Sequence, residues 1–319
     1  MKKDAGTVGF GTTSLLGIAG DRERQYLLEA ALDAGITHFD TAPYYGYGEA
    51  ERILGRFLVG RRDAVTVTTK FGIQPPRLAG GGTLAGALKR VVKNLGPLRS
   101  LLAKQAGKMV QRGAFGVEDA RKSLESSLRA LQTDRLDVYL LHEAGPADTS
   151  DELLAFLESK KQEGVIGAFG TGSEAAKVSD MARLRPSFAD AVQLENSVLK
   201  TNLRSLAPMK NPRLVFTHGA LGASFRALQE ILRADETFRM QCSEILGADA
   251  GNPRLLAPAM LAWAARDNKT GTVLFSSRTP ENIRSNMNAL RNPTFTEEQL
   301  DEFAQLVASV VAGKEKVAS

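Results

Sequence analysis

Eight short runs rich in β-branched and aromatic residues recur along the chain, and stretches with helical spacing follow most of them. Most runs are apolar on both faces, which is typical of parallel strands buried between helices. Repeated strand–helix alternation within 319 residues favours an α/β fold of the (β/α)8 TIM-barrel type over a doubly wound sheet. The runs lie at residues 7–10, 37–40, 65–70, 137–142, 167–170, 191–194, 214–217 and 272–275.

Apolar residues at helical spacing predict helices between and after these strands. The first is expected to begin with Asp21 as its N-cap and to end at Gly35. The last, over residues 297–311, is expected to pack outside the barrel. The others are predicted over residues 117–131, 151–163, 226–233, 256–265 and 280–290.

Residues 1–319 are predicted to form a single domain. No Gly-x-Gly-x-x-Gly occurs in a strand-to-helix turn, so a Rossmann domain is not indicated, and no linker interrupts the alternation. We expect extended loops after strands 3 and 7: an insert at about 74–117, and a stretch over about 223–254. The insert contains basic but no acidic residues, and both stretches follow strand ends, where barrel enzymes carry active-site loops.

The net charge of +5 is mildly basic, which suits nucleic acid, a membrane surface or a phosphorylated ligand. Neither an aromatic–basic RNA signature nor a run of roughly 18 apolar residues accompanies it, so no nucleic-acid or membrane partner is expected. The single cysteine, Cys242, cannot form an internal disulfide, which favours the cytoplasm. Three scattered histidines predict no metal site, and His38 is expected to be structural.

Polar side chains stand at the ends of three predicted strands, where a buried core would not tolerate them. Asp40 ends the second strand, Lys70 the third and His142 the fourth. In a barrel these ends converge on one mouth. Tyr45 follows Asp40 in a loop rich in tyrosine and glycine that can return to the same mouth.

These residue types suit proton transfer to a carbonyl. A phenol holds its proton up to a pKa of about 10, and a nearby ammonium is expected to lower that pKa. A carboxylate keeps the lysine charged and in place. The phenol can then donate a proton to a carbonyl oxygen as hydride reaches the carbon, while an imidazole orients the oxygen. Charge alone leaves three candidate donors, namely Tyr44, Tyr45 and Tyr47.

Residues 38–51, with the sequence HFDTAPYYGYGEAE, resemble the signature segment of the aldo-keto reductase family. VTTKFG at 67–72 and DVYLLH at 137–142 resemble its next two motifs, and the likeness runs from residue 8 to about 290. The resemblance implies a (β/α)8 barrel that binds NADPH extended across its mouth. It also selects Tyr45, because it implies a catalytic tetrad of Asp40, Tyr45, Lys70 and His142.

The same resemblance implies cofactor-binding residues. Gln193 matches a glutamine against the nicotinamide carboxamide, and His218 occupies the position of a stacking aromatic. Gly172 and Ser173 stand where the family usually has a Ser-Asn pair. The implied set comprises Gly11, Thr12, Asp40, Ser173, Gln193, His218, Ser276, Ser277, Arg278, Asn282 and Asn286.

The segment after the eighth strand resembles the family's adenosine-phosphate segment. A helix starting near Pro280 offers free amides to an anion, and Arg278 can pair with a 2′-phosphate. Ser276 and Asn282 stand where well-studied members often have Lys and Arg. The expected cofactor is NADP (NADPH), with NAD as the alternative.

The sequence therefore predicts an NADP-dependent oxidoreductase that interconverts a small-molecule aldehyde, ketone or sugar and its alcohol. A monomer or weak oligomer is expected. One alternative is a cofactor-binding redox-sensing or auxiliary subunit with little turnover, which the departures in the cofactor pocket leave open. Another makes Lys70 the Schiff-base nucleophile of a barrel aldolase. That chemistry needs a depressed lysine pKa, which a neighbouring Asp40 would oppose.

Overall fold

The computed structural model describes residues 7–74, 111–206 and 214–318. Its strands are β1 (Thr7–Gly11), β2 (His38–Asp40), β3 (Thr66–Phe71), β4 (Ile73–Gln74), β5 (Gln111–Arg112), β6 (Leu136–His142), β7 (Ile166–Gly172), β8 (Ala191–Glu195), β9 (Leu214–His218) and β10 (Thr272–Phe275). Eight of them form a closed barrel in the order β1-β10-β9-β8-β7-β6-β3-β2. The remaining two, β4 and β5, form a small antiparallel ribbon.

The predicted (β/α)8 barrel is confirmed, because every barrel strand lies within two residues of a predicted run. Neighbouring barrel strands are parallel, and β1 closes the sheet against β10 with Thr7 opposite Thr272 and Phe10 opposite Phe275. Closure leaves the barrel without an exposed sheet edge. It also turns the carboxyl ends of all eight strands toward one rim.

The helices of the described residues are α1 (Asp21–Asp33), α2 (Glu49–Leu58), α3 (Val117–Leu131), α4 (Asp151–Gln162), α5 (Ala175–Leu184), α6 (Ala223–Ala234), α7 (Glu236–Leu246), α8 (Pro253–Asp267), α9 (Pro280–Arg291) and α10 (Glu297–Ala318). The predicted N-cap of α1 is wrong. Gly20 is the N-cap and makes no side-chain cap bond, while Asp21 is the first helical residue. The Asp21 carboxylate still suits the positive end of the helix dipole.

The two long stretches that interrupt the strand–helix rhythm differ in structure. The stretch after the seventh barrel strand contains the two helices α6 and α7. Most of the insert predicted at about 74–117 lies outside the described residues, and at its base Ile73 pairs with Arg112 in the β4–β5 ribbon. Helix α10 packs on α7 and α8, which places it outside the barrel as expected.

Apolar side chains fill the barrel beneath the rim. Val138 and Leu140 of β6 contact residues from β8, β9 and β10, so this cluster lies in the lumen. Its other buried members are Ala191, Phe216 and Leu274. The lumen is therefore a packed core, and polar chemistry is confined to the rim. Within the described ranges, the helices are too short or too polar to cross a bilayer.

Candidate active site

The rim brings together the polar residues that the sequence placed at separate strand ends. A buried ion pair lies at its centre, where the Nζ of Lys70 donates hydrogen bonds of 2.7 and 2.9 Å to the two carboxylate oxygens of Asp40. Nζ also donates to the carbonyl of Thr41 at 3.1 Å. The Lys70 residue is only 1% exposed. A lysine this deeply buried needs such a counter-charge to remain ionised.

The protonation state of Lys70 follows from this pairing. Burial by itself lowers the pKa of Lys70, but the negative charge of Asp40 and the neighbouring Tyr45 outweigh burial and raise the pKa above its ordinary value. Lys70 is thus held as an ammonium at neutral pH. A Schiff-base nucleophile requires the opposite, a lysine with a lowered pKa, so the aldolase alternative is not supported.

Tyr45 is the tyrosine of its loop that reaches the ion pair. The Nζ of Lys70 donates to the Tyr45 hydroxyl at 3.3 Å and lies 5.0 Å from the centroid of the ring. The loop turns back through three consecutive residues with positive φ, Gly46, Tyr47 and Gly48, and the glycines adopt this conformation without strain. Helix α2 begins directly afterwards, and the amide of Ala50 donates to the Tyr45 carbonyl at 3.3 Å.

The expected lowering of the Tyr45 pKa is wrong for this structure. Burial raises the pKa of Tyr45, and Lys70, which favours the phenolate, does not fully offset burial and the nearby Asp40 charge. The free-energy cost of burying a phenolate exceeds the stabilisation that the Lys70 ammonium gives it, because Lys70 is also paired with Asp40. Tyr45 is therefore a protonated phenol at neutral pH, which is the form that can donate a proton.

His142 covers Tyr45 from the end of β6. Its ring stands edge-on to Tyr45, with centroids 6.1 Å apart, and contacts Tyr44 in the same manner at 6.5 Å. His38, by contrast, lies deeper in the barrel, stacked on Phe216 with centroids 4.8 Å apart. Burial lowers the pKa of His38 to about 4. His142 thus lies at the rim beside Tyr45, whereas His38 is an uncharged residue packed inside the barrel.

Gln193 ties the opposite side of the rim to the ion pair. Its Nε2 donates to Asp40 Oδ2 at 2.7 Å, so Asp40 is oriented by both Lys70 and Gln193. A Cβ at Gly172 would lie 3.4 Å from Gln193 Oε1, an ordinary contact distance, so Gly172 lies directly beside this amide. Thr12 supports Asp40 from behind, because its buried hydroxyl donates to the Asp40 carbonyl at 3.0 Å.

A cavity of about 570 Å³, the mouth cavity, opens at the rim beside these residues. That volume is within the range of small-molecule sites. Its wall contains His218, at the end of β9, and Thr13 rather than Thr12. The other predicted site residues on this wall are Gly11, Asp40, Tyr45, His142, Ser173, Gln193 and Ser276.

A second cavity of about 740 Å³, the distal groove, continues from the first. The two share Thr13, Leu221, Gly222 and Ser276, so together they form one elongated depression across the rim. The distal groove contains the remaining predicted cofactor residues, namely Ser277, Arg278, Asn282 and Asn286. The predicted cofactor residues thus line the two cavities, except Thr12, which lies just behind the wall of the mouth cavity.

Several groove residues were missed by sequence reasoning. Ser14 follows the first strand, and Arg226 and Arg254 belong to the helical stretch after the seventh. The two arginines could have been noticed, because each is a basic residue near the start of a helix, where anions bind. Neither belongs to a recognisable motif. Nothing in the sequence marked Ser14.

Two buried hydroxyls on these walls fit a polar ligand. The Oγ atoms of Ser14, in the distal groove, and Ser173, in the mouth cavity, have no hydrogen-bond partner among the described residues. Buried hydroxyls normally have a protein, water or ligand partner. Their placement at two points along one elongated depression suits an extended ligand that carries many acceptors, as a dinucleotide does.

The geometry is that of a closed barrel with a buried ion pair and a tyrosine beside a cavity at its rim, and one known family has a model that matches nearly the whole chain. The model of the Aldo/keto reductase family matches residues 5–308. The chain therefore belongs to the aldo/keto reductase family.

Named relatives are similar to the chain over different lengths. D-threo-aldose 1-dehydrogenase of a Pseudomonas species is 34% identical over 176 residues, which is 52% of this chain and 49% of that protein. Aldo-keto reductase YhdN of Bacillus subtilis is 30% identical over 56% of this chain and 47% of its own. The matches thus span about half the length of these two relatives. Pyridoxal 4-dehydrogenase of Microbacterium luteolum is 25% identical over 88% of both chains.

Solved structures share the fold over most of the chain. The holo form of an aldo-keto reductase from Bacillus halodurans superposes with a TM-score of 0.69 at 22% identity, covering 94% of this chain and 91% of that one. An aldo-keto reductase from Klebsiella pneumoniae, solved with NADPH, gives a TM-score of 0.67 at 20% identity over 97% and 96% of the two chains.

Proposed function

We propose that this chain is an NADP(H)-dependent oxidoreductase that interconverts a carbonyl and its alcohol, with Tyr45 as the proton donor. The observation that carries the proposal is the 3.3 Å approach of the Lys70 ammonium to the Tyr45 hydroxyl on the wall of the mouth cavity. When bound, the nicotinamide supplies or accepts the hydride. The protein's own residues supply the proton and hold the carbonyl.

The proton moves between the Tyr45 hydroxyl and the carbonyl oxygen. Burial raises the pKa of Tyr45 and keeps the donor protonated before reaction. As the proton leaves, the adjacent Lys70 ammonium stabilises the phenolate that forms, and Asp40 holds Lys70 in place. Such a positioned general acid contributes a rate factor of about 10²–10⁴.

His142 is proposed to orient the substrate oxygen. The imidazole stands edge-on to Tyr45 and shares the wall of the mouth cavity, so a carbonyl oxygen near the Tyr45 hydroxyl lies beside both rings. A hydrogen bond from the imidazole would stabilise the charge that develops on this oxygen.

The elongated depression is proposed to hold the cofactor. Ser173, Gln193 and His218 line the mouth cavity, where a nicotinamide would need polar partners and a flat ring. The distal groove includes Thr279, whose side chain caps α9, and Arg278, which can pair with a 2′-phosphate. This arginine and the NADPH complex of the Klebsiella pneumoniae structure favour NADP over NAD.

The substrate is proposed to be an aldehyde, ketone or sugar. The relatives named D-threo-aldose 1-dehydrogenase, pyridoxal 4-dehydrogenase and 6-dehydroglucose reductase support this class, since each acts on a carbonyl or the corresponding alcohol. The mouth cavity carries Glu143, Glu174 and Glu195 as well as apolar Leu221 and Phe275, a mixed wall that suits a small polyhydroxylated or aromatic carbonyl.

The test is the consumption of NADPH and of NADH by the purified chain with a panel of aldehydes, ketones and aldoses. We expect turnover with NADPH, slower turnover with NADH, and dependence on the carbonyl. Tight NADPH binding without turnover on any member of the panel would contradict the proposal and support a redox-sensing subunit instead.

A further inference from the structure

The distal groove carries more positive charge than Arg278 supplies. Arg226 on α6 and Arg254 on α8 line the same groove, and the lining contains no acidic side chain among the described residues. None of these three arginines forms an ion pair with a carboxylate within the described part of the chain. Three uncompensated guanidinium groups around one depression are a strong attraction for an anion.

Helix starts add to this charge. Gly222, which precedes α6, lines the groove, and so do Pro253 at the start of α8 and Thr279 before α9. The first turns of α6 and α8 contain no acidic residue. Gly222 also leaves its helix start without a side-chain cap. Side chains cap the starts of α8 and α9, through Asn252 and Thr279, so the uncapped amides are those of α6. The dipoles of all three helices have their positive ends at the groove.

The helices that carry Arg226 and Arg254 favour different positions for these two arginines along the groove. Gly222 lines both the mouth cavity and the distal groove, and the amide of Arg226 donates to the Gly222 carbonyl at 3.2 Å, one helical turn away. Arg226 thus lies nearer the junction of the two cavities. Arg254 is the second residue of α8. Helix α8 packs mainly on α9, the helix of Asn282 and Asn286, and also touches α6. The packing on α9 favours a position of Arg254 near Arg278.

On the β10–α9 side, Ser276 and Asn282 are neutral, which leaves Arg278 as the charged residue of that wall. We propose that Arg226 and Arg254, on the facing helices, complete the phosphate recognition of the groove. Arg254 binds the 2′-phosphate of an NADP-type dinucleotide together with Arg278, and Arg226 binds the pyrophosphate. This inference rests on the proposed function, because it takes the groove to be the cofactor site.

The test is calorimetric binding of NADP⁺ and of NAD⁺ to the whole chain and to three single variants. Arg254→Met should weaken NADP⁺ binding at least tenfold and leave NAD⁺ binding within a factor of two, because only NADP⁺ carries the 2′-phosphate. Arg226→Met should weaken both dinucleotides by similar factors, because both carry the pyrophosphate. Loss of one charge-assisted contact corresponds to about a tenfold to hundredfold change in Kd.

Arg233→Met is the matched control, because Arg233 lies exposed on the same helix as Arg226 and does not line the groove. It removes the same charge and should leave both affinities unchanged, and thermal unfolding of each variant checks that the fold is intact. The salt dependence of NADP⁺ affinity should be steeper for the unmodified chain than for Arg254→Met.

Unchanged NADP⁺ affinity in Arg254→Met, or equal losses for NADP⁺ and NAD⁺, would overturn the assignment of the 2′-phosphate. Unchanged affinities in Arg226→Met would overturn the assignment of the pyrophosphate. If the unmodified chain binds neither dinucleotide, the proposed function fails with the inference. If it binds NADP⁺ and turns over while both variants match it, only the inference fails.

Discussion

Lys70 and Asp40 are buried charges that need each other. The Lys70 side chain is 1% exposed and that of Asp40 is 6% exposed, and they pair at 2.7 Å. Gln193 and the Thr41 carbonyl satisfy further hydrogen bonds of the pair. A pair of this kind adds little net stability compared with apolar packing, but losing one partner strands the other charge in a dry site. The proposed role of the pair is to hold the Lys70 ammonium beside the Tyr45 hydroxyl.

The mutual dependence of Lys70 and Asp40 has measurable consequences for the stability of two variants. Lys70→Met should lower the free energy of unfolding by about 3–5 kcal/mol, because Asp40 is then buried without its counter-charge. Adding Asp40→Asn to the same chain should restore part of that loss, since the stranded charge is gone. Urea unfolding at neutral pH measures both. A double variant no more stable than Lys70→Met would show that charge burial is not the cause.

The sequence predicted the position of a polar side chain correctly where that side chain lies at the end of a strand. Asp40, Lys70 and His142 could be located from the ends of the predicted strands alone. Tyr45 could not be separated from Tyr44 and Tyr47 by charge, because the choice depends on a turn in which Tyr47 and the glycines on either side of it have positive φ. The direction of the Tyr45 pKa also escaped prediction, since it depends on how deeply the ring is buried.

The strands were predictable because each is a short run rich in β-branched, aromatic or other apolar residues, of the length of a barrel strand. Three helices were missed, namely α2, α5 and α7. The N-caps of α2 and α5 make no side-chain cap bond, but the predicted helices α1 and α3 share this property. The α2 start carried a signal in Glu49 and Glu51 of its first turn. The α7 start also carried one, because the Asp235 side chain accepts from the amide of Phe238.

Helix α2 links the Tyr45 loop to the barrel wall. It begins just after that loop, and its buried Glu51 accepts a hydrogen bond of 2.7 Å from Thr69, the neighbour of Lys70 in β3. Gly55, one turn further on, lets α2 lie directly on α3, since a Cβ there would collide with the carbonyl oxygen of Ala130. The position of α2 is therefore set by close backbone contact.

Gly55→Ala should lower the free energy of unfolding by about 1–3 kcal/mol through overpacking, although alanine is the better helix former. Gly116→Ala is the control. Gly116 precedes α3 with a negative φ, and its Cβ would meet only the flexible Asp119 side chain, at 3.3 Å. We expect a loss of about 1 kcal/mol or less there. Equal losses in thermal or urea unfolding would contradict close α2–α3 packing.

At the scale of the whole molecule, barrel closure explains how distant residues form one site. The carboxyl ends of β2, β3, β6 and β8 bring Asp40, Lys70, His142 and Gln193 to one rim although they are far apart in sequence. The apolar lumen beneath keeps water from approaching the ion pair from below. Residues 75–110, the larger part of the basic insert, lie outside the described residues, so the predicted loop there stays a prediction.

The role of Tyr45 as proton donor is tested by two tyrosine variants. With the best carbonyl substrate of the panel, Tyr45→Phe should reduce kcat by about 10²–10⁴ while the affinity for NADP⁺ changes less than twofold. Tyr47→Phe, two residues along the same loop, should keep kcat within a few-fold of the unmodified chain. A Tyr45→Phe variant that turns over at the original rate would contradict the account.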